Sequence, residues 1–476
     1  MVKGMDIKEK IKKSWKTDRG LYLIIGIFLL SQLVIVKTIW NQPPIWDASV
    51  YIGMGKRIFS SWQFGIWEAF RPLMLPVILG TLWKLGLPMI GFPYLLSTLV
   101  STAGLAVIYF LVKDITDKRT ALYTAGITAS TFVFYKWSFN VLTGIPASTL
   151  VFIACYSVYR DKELLGGVFN GLAFLTRFPS AIVGPALAGY VFLRDVRDDF
   201  KQAFMNALYY TIGFFAVSLP FFAFSQHLYG NFLEPITAGA SVPLQSNPDK
   251  FLYGLFYLKE AIFANPLLLL IPLGLYTAVK NRERVYGAFG SALIFLYGFF
   301  TVYQHKDPRF MLLFLPLMSL FSARGLVYIE EYLSERPRIG KSTVLRLFLI
   351  VFIVLTAFNF SVNYTQNQWS NDVRIEFLKG MEELDGVVAG NDPVVNVYGD
   401  FEYVPLRPEN LNETYSSVKG EADYYVFDSS RWYCSEVIPN CQSRVDRVVE
   451  EVESEHIKKV ELEAYNQKYT VYEVER

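Results

Sequence analysis

Hydrophobic runs separated by short charged loops fill residues 21–362, after which the chain turns polar with short alternating stretches. The first run, Leu21–Val36, carries no charge and lies within a stretch (roughly 21–40) long enough to span a bilayer. Leu73–Leu87 is different. It is about fifteen residues long and holds Pro76, Gly80 and Lys84, whereas a spanning helix needs roughly 20 residues. Reading 72–87 as an interfacial helix makes 92–112 the second span. Further spans are expected near 120–137, 141–159, 164–177, 179–193, 203–225, 264–280, 285–303, 309–329 and 344–362, about eleven transmembrane helices in all.

Charge placement orients this series. The N-terminal segment carries Lys8, Lys10, Lys12, Lys13 and Lys16. With 72–87 outside the count, the clusters Lys113/Lys118/Arg119, Arg160/Lys162, Arg194/Arg197/Lys201, Lys280/Arg282/Arg284 and Arg336/Arg338/Lys341 fall on that same side. Lys and Arg mark the cytoplasmic side, so the N-terminus is expected inside. The loops 41–91, 226–263 and 303–308, and everything beyond about 363, are then external. Two domains follow: a polytopic α-helical domain, 1–362, and an external soluble α/β domain, 363–476. In the latter, Val394–Tyr398, Tyr424–Phe427 and Tyr469–Val474 alternate like strands and Arg444–Glu455 reads as a helix.

Composition supports a membrane protein with some soluble mass attached. The 476 residues are 53% hydrophobic and only 18% charged, against roughly 25% charged in soluble domains. The expected location is a cell membrane or an ER-type membrane, with the first helix retained rather than cleaved as a signal peptide. A net charge of +2 gives no basic excess for nucleic acid. Cys155 lies in an apolar run and reads as core; Cys434 and Cys441 could pair in an oxidising compartment. With only three histidines and no Cys/His cluster, no metal or other cofactor is expected. Asn363-Tyr-Thr365 and Asn412-Glu-Thr414 are glycosylation sequons on the expected external side.

Candidate chemistry centres on Asp47, in Pro43-Pro44-Ile45-Trp46-Asp47-Ala48-Ser49-Val50-Tyr51. Two readings stand: Asp47 caps the following helix, or it is a catalytic acid at the membrane surface. Around it the external segments hold an unusual set of ionisable residues: Lys56, Arg57, Glu68, Arg71, Lys84, Lys136, Arg177, His305, Lys306, Asp307 and Arg309. Such groups are costly at membrane depth and depleted outside, so they point to an anionic ligand, best a phosphate on a lipid carrier. For Lys56, Arg57, Lys84 and Lys136, snorkelling to headgroups is an equal reading. Arg71 contacts a phosphate or pairs with Glu68, and Asp307 orients Lys306 and Arg309.

The pattern Trp46-Asp47-x-x-x-Tyr51 followed by Phe70-Arg71-Pro72-Leu-x-Leu-Pro76 resembles the first external loop of GT-C superfamily glycosyltransferases. It is most similar to the family that includes dolichyl-phosphate-mannose–protein mannosyltransferases and the bacterial lipid A aminoarabinose transferase. Leu142-Thr-Gly-Ile-Pro146-Ala, Gly171-Leu-Ala-Phe-Leu-Thr-Arg177 and His305-Lys306-Asp307-Pro-Arg309-Phe match the same class, over roughly residues 20–330. Many relatives carry a second acid where this chain has Ala48 and Gly144. That departure weakens a carboxylate-bound metal and leaves Asp47 as the lone motif acid, with Glu68 a helper.

The resemblance implies a polyprenyl-phosphate sugar as donor, and a protein, lipid or glycan as acceptor. Asp47 would be the general base of an inverting displacement at the outer surface. Arg177, Lys306 and Arg309, with Arg71 and His305, would bind the donor phosphate among the membrane lipids. Rival readings are an oligosaccharyltransferase-like glycan transfer, a transporter or flippase for lipid-linked or anionic solutes, and a scaffold that binds a partner through its external domain.

Overall fold

The computed structural model describes residues 18–241, 253–303, 305–335, 340–368, 371–434 and 438–475. The lysine-rich stretch up to residue 17, and Arg336 and Arg338, lie outside them. The chain opens with α1 (Arg19–Ile39), α2 (Trp46–Phe59), α3 (Met74–Lys84), α4 (Phe92–Ile115), α5 (Lys118–Ser130) and α6 (Phe132–Trp137). Then come α7 (Gly144–Tyr159), α8 (Glu163–Thr176), α9 (Val183–Asp195), α10 (Phe200–Tyr229), α11 (Glu234–Ser241) and α12 (Tyr253–Ala264). The bundle closes with α13 (Ile271–Lys280), α14 (Val285–Val302), α15 (Leu315–Ser334) and α16 (Lys341–Asn367). Among these, α1, α4, α10, α14 and α16 are long and apolar enough to cross a membrane, and α3, α7, α8 and Pro266–Lys280 are shorter apolar helical segments.

The expected interfacial segment is α3. Eleven residues reach about 16 Å, roughly half of a bilayer's hydrocarbon thickness. It lies on α2 through facing glycines: a Cβ on Gly80 would meet the Gly55 carbonyl oxygen at 2.5 Å, and one on Gly55 the Pro76 carbonyl oxygen at 2.6 Å. Small residues are what allow two helix backbones to approach this closely.

One expected span is broken. The run 120–137 divides at Thr131, whose backbone is extended (φ −72°, ψ 124°). Backbone carbonyls around the break lie in an apolar interior, where polar groups need partners, and side-chain amides from three other segments bond to them. Gln32 donates to the Tyr135 carbonyl (3.1 Å), Asn265 to that of Ile127 (3.2 Å) and Asn359 to that of Ser130 (2.8 Å). The break sets α6, and with it Trp137, at the end of the bundle where α2 and α3 lie.

After α16 the chain forms α17 (Asp372–Lys379), β1 (Val387–Gly390), α18 (Val395–Tyr398), β2 (Glu402–Pro405), α19 (Leu411–Val418), β3 (Tyr424–Asp428), α20 (Cys441–Glu455), β4 (Ile457–Ala464) and β5 (Gln467–Glu473). The sheet order is β2-β1-β3-β5-β4. β1 runs parallel to β2 and β3, while β5 is antiparallel to both β3 and β4; Val388 faces Tyr424, and Val426 faces Val471. Helix α20 buries Val445, Val448 and Val452, one helical face, against Tyr425, Phe427 and Tyr472. The expected strand Val394–Tyr398 is instead the short helix α18. Asp392 and Pro393 start it: the Asp392 carboxylate accepts from the Val394 amide at 3.1 Å, which favours a turn over extension.

Cys434 and Cys441 form a disulfide, and Cys155 is a buried free thiol. Asn363 is only 1% exposed within α16 and donates to the Asn359 carbonyl, so its sequon is inaccessible; Asn412 is exposed.

This C-terminal unit is bonded to α2 and the loop after it. The buried Lys56 ammonium donates to the carbonyls of Asn396 (3.0 Å), Val397 (3.2 Å) and Gly399 (2.9 Å) and pairs with Asp400 at 2.9 Å. Arg57 pairs with Glu402 at 2.7 Å. Gly65, at φ +82°, exchanges backbone bonds with Phe401 and Tyr403 and extends the sheet at β2. Lys56 and Arg57 therefore serve the junction, with protein acceptors in place of headgroups or a ligand.

Candidate active site

Asp47 stands in the first turn of α2, but the residue at the cap position is Ile45, and no side chain caps the helix. Its carboxylate is held by two arginines instead. Arg71 Nη2 lies 2.9 Å from Oδ1 and Arg309 Nη1 2.7 Å from Oδ2. Arg71 arrives on a turn in which its amide donates to the Glu68 carbonyl (3.2 Å), bringing both side chains to one side; its Nε lies 2.8 Å from Glu68 Oε2. Arg309 arrives on the turn after α14. Asp307 accepts from the Arg309 amide at 2.7 Å and pairs with its guanidinium at 2.7 Å. The expectation that Asp307 orients Arg309 describes this geometry.

Glu68 is 3% exposed. Its second oxygen is met by Arg407, from the segment after β2. An alternating series results: Arg407, Glu68, Arg71, Asp47, Arg309, Asp307. Aromatic faces line it. Arg71 lies over Tyr51 (5.1 Å) and Phe70 (5.4 Å), Arg309 over Trp137 (5.3 Å) and Arg407 over Phe70 (5.9 Å).

Arg177 is set apart from the pairing. Pro179 ends α8, and Arg177 is extended (φ −155°, ψ 112°) between it and the next turn. The guanidinium donates to Thr143 Oγ1 at 3.2 Å and lies over Phe310 at 5.3 Å; its Nε is buried and unbonded. Asp47, Arg309 and Asp307 are within electrostatic range, yet Arg177 has no carboxylate partner among the described residues. Three arginines thus pair off against three carboxylates, leaving one positive charge over.

His305 packs edge-on to Phe310 at 5.5 Å. Burial pulls its imidazole below the ordinary range, Asp307 opposes this and Arg309 adds to it, so it is neutral at pH 7. Lys306 is tied to the end of α14, donating to the carbonyls of Phe300 (2.6 Å), Thr301 (2.8 Å) and Tyr303 (2.6 Å). Lys84 is exposed, and Lys136 lies over Trp137 at 5.5 Å.

Burial alone would raise the Asp47 carboxyl. Arg71 and Arg309 outweigh it and hold the group down at about 2. The acids present do not suit a divalent ion: Asp47 and Glu68 are each taken by two arginines, and no cluster of three His, Cys, Asp or Glu occurs among the described residues.

Residues 71–222, from Arg71 through Arg177, match the family model of dolichyl-phosphate-mannose-protein mannosyltransferase. The fold matches that of ArnT from Cupriavidus metallidurans in its apo state, with 12% identity, 94% of this chain and 97% of that chain covered, and a TM-score of 0.62. About a third of the chain thus matches that family model, and the chain as a whole shares the ArnT fold. The same ArnT bound to undecaprenyl phosphate matches at 12% identity, over 94% and 98% of the two chains, with a TM-score of 0.62. The archaeal oligosaccharyltransferase AglB from Archaeoglobus fulgidus, in complex with an inhibitory peptide and a dolichol-phosphate, matches at 14% identity, over 87% and 70%, with a TM-score of 0.57. No curated protein sequence matches significantly. With five helices long and apolar enough to cross a membrane, the protein is an integral membrane protein.

Sequence reasoning missed Arg407 and Trp137. Arg407 is 339 residues from Glu68, and no local pattern announces it. Trp137 had a weak signal, as an aromatic at the end of a run beside Lys136.

Proposed function

We propose that this protein is a glycosyltransferase that moves a sugar from a polyprenyl-phosphate donor to an acceptor hydroxyl at the outer face of the membrane, with inversion and with Asp47 as general base. The observation that carries the reading is Arg177, half-buried and without a carboxylate partner among the described residues, beside the doubly braced Asp47. A site whose four arginines face three carboxylates among the described residues suits a further anion, and a lipid phosphate supplies it. An apolar groove of 760 Å³ supports the lipid half of the donor. It is lined by Phe174, Pro185, Phe214, Leu219, Phe222 and Phe232 among others. Phe174 is one turn before Arg177 and contacts Phe178 just after it (5.3 Å), so a chain lying in the groove would bring its headgroup to the arginine.

In the proposed step the acceptor oxygen forms a bond to the anomeric carbon while the bond from that carbon to the phosphate oxygen breaks. The acceptor proton passes to Asp47, and the leaving phosphate keeps the electron pair. Arg177 and Arg309 stabilise that charge, so no general acid is needed. An Asp held at about 2 is a weak base. The donor corrects this: its phosphate competes for Arg309 and places negative charge beside Asp47, and both effects raise the carboxylate's proton affinity. The base becomes competent only when the donor is present.

The test is incubation of the purified protein with a panel of polyprenyl-phosphate sugars and with peptide, lipid and glycan acceptors, followed by mass spectrometry. One donor should be consumed, with release of polyprenyl phosphate. Transport in proteoliposomes without any change in the donor would overturn the reading in favour of a transporter.

A further inference from the structure

We propose that Arg407 is a positioning residue for sugar transfer, acting through Glu68 and Arg71 on Asp47. The C-terminal unit thereby completes the active site instead of merely covering it. This rests on the reading of Asp47 as the general base.

Glu68 is buried and divided between two cations, with Oε2 on Arg71 Nε and Oε1 on Arg407. Arg71 is divided in the same way: Nε goes to Glu68 and Nη2 to Asp47. Phe70 lies against both guanidinium groups, at 5.4 and 5.9 Å, and fixes their separation. A carboxylate shared between two arginines pulls on each with part of its strength. Without Arg407, the full charge of Glu68 would bear on Arg71, and a buried carboxylate short of donors takes the nearest available. Arg71 can meet that demand only by turning its Nη groups toward Glu68 and away from Asp47. Asp47 would keep Arg309 but lose one of the two contacts that set its orientation. Donor phosphate affinity, assigned chiefly to Arg177 and Arg309, would stay.

Arg407 is also well placed to report docking. It follows β2 directly, and β2 is the strand that Gly65 extends and that Arg57 pairs with through Glu402. Two of the contacts that seat the C-terminal unit on the first loop, Gly65 with β2 and Arg57 with Glu402, thus lie on the strand that delivers the arginine.

The experiment compares Arg407→Gln, Arg407→Lys, Glu402→Gln and the double variant Arg407→Gln/Glu68→Gln, in full-length protein. Two readouts are needed: donor turnover, and the affinity and stoichiometry of undecaprenyl phosphate binding. Arg407→Gln should lower kcat about 10- to 100-fold, the scale expected for a misplaced catalytic group. Its lipid-phosphate affinity and stoichiometry should match wild type, showing that the molecules are folded. Arg407→Lys should recover most of kcat. The double variant should turn over faster than Arg407→Gln alone, because the unbalanced carboxylate is gone. Glu402→Gln, which removes a neighbouring docking contact, should leave kcat unchanged.

Equal losses in Arg407→Gln and Glu402→Gln would reduce Arg407 to a docking contact and overturn the proposal. So would weakened lipid-phosphate affinity in Arg407→Gln, which would make it a ligand of the donor, or a double variant no faster than the single. A wild-type protein that binds undecaprenyl phosphate but consumes no donor would overturn the glycosyltransferase reading, and this proposal with it, before any variant is compared.

Discussion

Replacing Asp47 by Asn should abolish transfer while tightening the hold on the lipid phosphate. The two effects have separate magnitudes. Loss of a general base costs about 100- to 10,000-fold in rate, or roughly 3–5 kcal/mol. The phosphate gains because Asp47 competes for its ligands. Two unit charges about 6 Å apart interact by about 3 kcal/mol at an effective dielectric constant near 20. Asp47 keeps a quarter of its side-chain surface open to solvent, which screens the interaction, so roughly a 10-fold gain in affinity is expected. Stability should fall only modestly. A carboxyl lowered from 3.8 to about 2 stabilises the fold by about 2 kcal/mol where it is ionised. Because the folded value is the lower one, this contribution is complete above about pH 4 and is lost as the pH falls from there toward 2. Asparagine should cost less than that at pH 7, since Arg71 keeps Glu68 and Arg309 keeps Asp307. The assays are donor turnover by mass spectrometry and binding of undecaprenyl phosphate to the same preparation. Retained turnover would refute the base assignment. Weaker phosphate binding would refute the competition argument, because it would make Asp47 part of what holds the donor in place.

The two cations of the 305–309 turn should separate by assay. Arg309→Ala should weaken undecaprenyl phosphate binding about 10- to 100-fold, the loss of a charge-assisted contact worth about 1.5–3 kcal/mol. Lys306→Gln should leave that affinity unchanged and lower the melting temperature, because its ammonium is spent on the carbonyls at the end of α14. At the junction of α2 and α3, Gly80→Ala should destabilise the protein by about 1–3 kcal/mol, since the new methyl meets the Gly55 carbonyl and the Phe59 ring at 2.5 Å; thermal unfolding in detergent would show it. Exchanging Cys434 and Cys441 for Ser removes a short loop closure, worth about 2–3 kcal/mol, and should loosen the C-terminal unit first, as read by limited proteolysis.

How far the sequence could be read depended on range. Asp47, Arg71, Arg177 and Arg309 were legible because each breaks an apolar pattern at a helix mouth, where an ionisable group costs energy and needs a reason. Their pairing was not legible. Nothing local says that Arg71 and Arg309, separated by well over two hundred residues of chain, close on one carboxylate from opposite sides. Lys56 and Arg57 followed the same cost rule and drew the wrong kind of partner, because their acceptors belong to a unit more than three hundred residues away. Local chemistry overrode pattern twice. The alternating stretch Val394–Tyr398 curls into a helical turn where the Asp392 carboxylate accepts from the Val394 amide and turns the chain. The run 120–137 breaks at Thr131, where side-chain amides from other segments bond to the nearby carbonyls. The strand β1, Val387–Gly390, is only four residues long and offers too little alternation to be seen.

The first loop changes how the chain divides. A boundary near residue 362 separates apolar from polar sequence, but it does not separate two working parts. Helix α2 begins with Asp47 at the site and ends with Lys56 and Arg57 in the C-terminal unit. The segment after it gives Gly65 to the sheet, then Glu68 and Arg71 to the ion series. Within twenty-five residues the loop therefore alternates between holding the C-terminal unit and holding Asp47, and the two tasks share Glu68. A displacement of the sheet would reach Asp47 through rigid contacts: a buried lysine with four oxygen partners, a backbone bridge, and two successive arginine–carboxylate pairs. In this geometry the seating of the C-terminal unit and the orientation of Asp47 are coupled through the first loop.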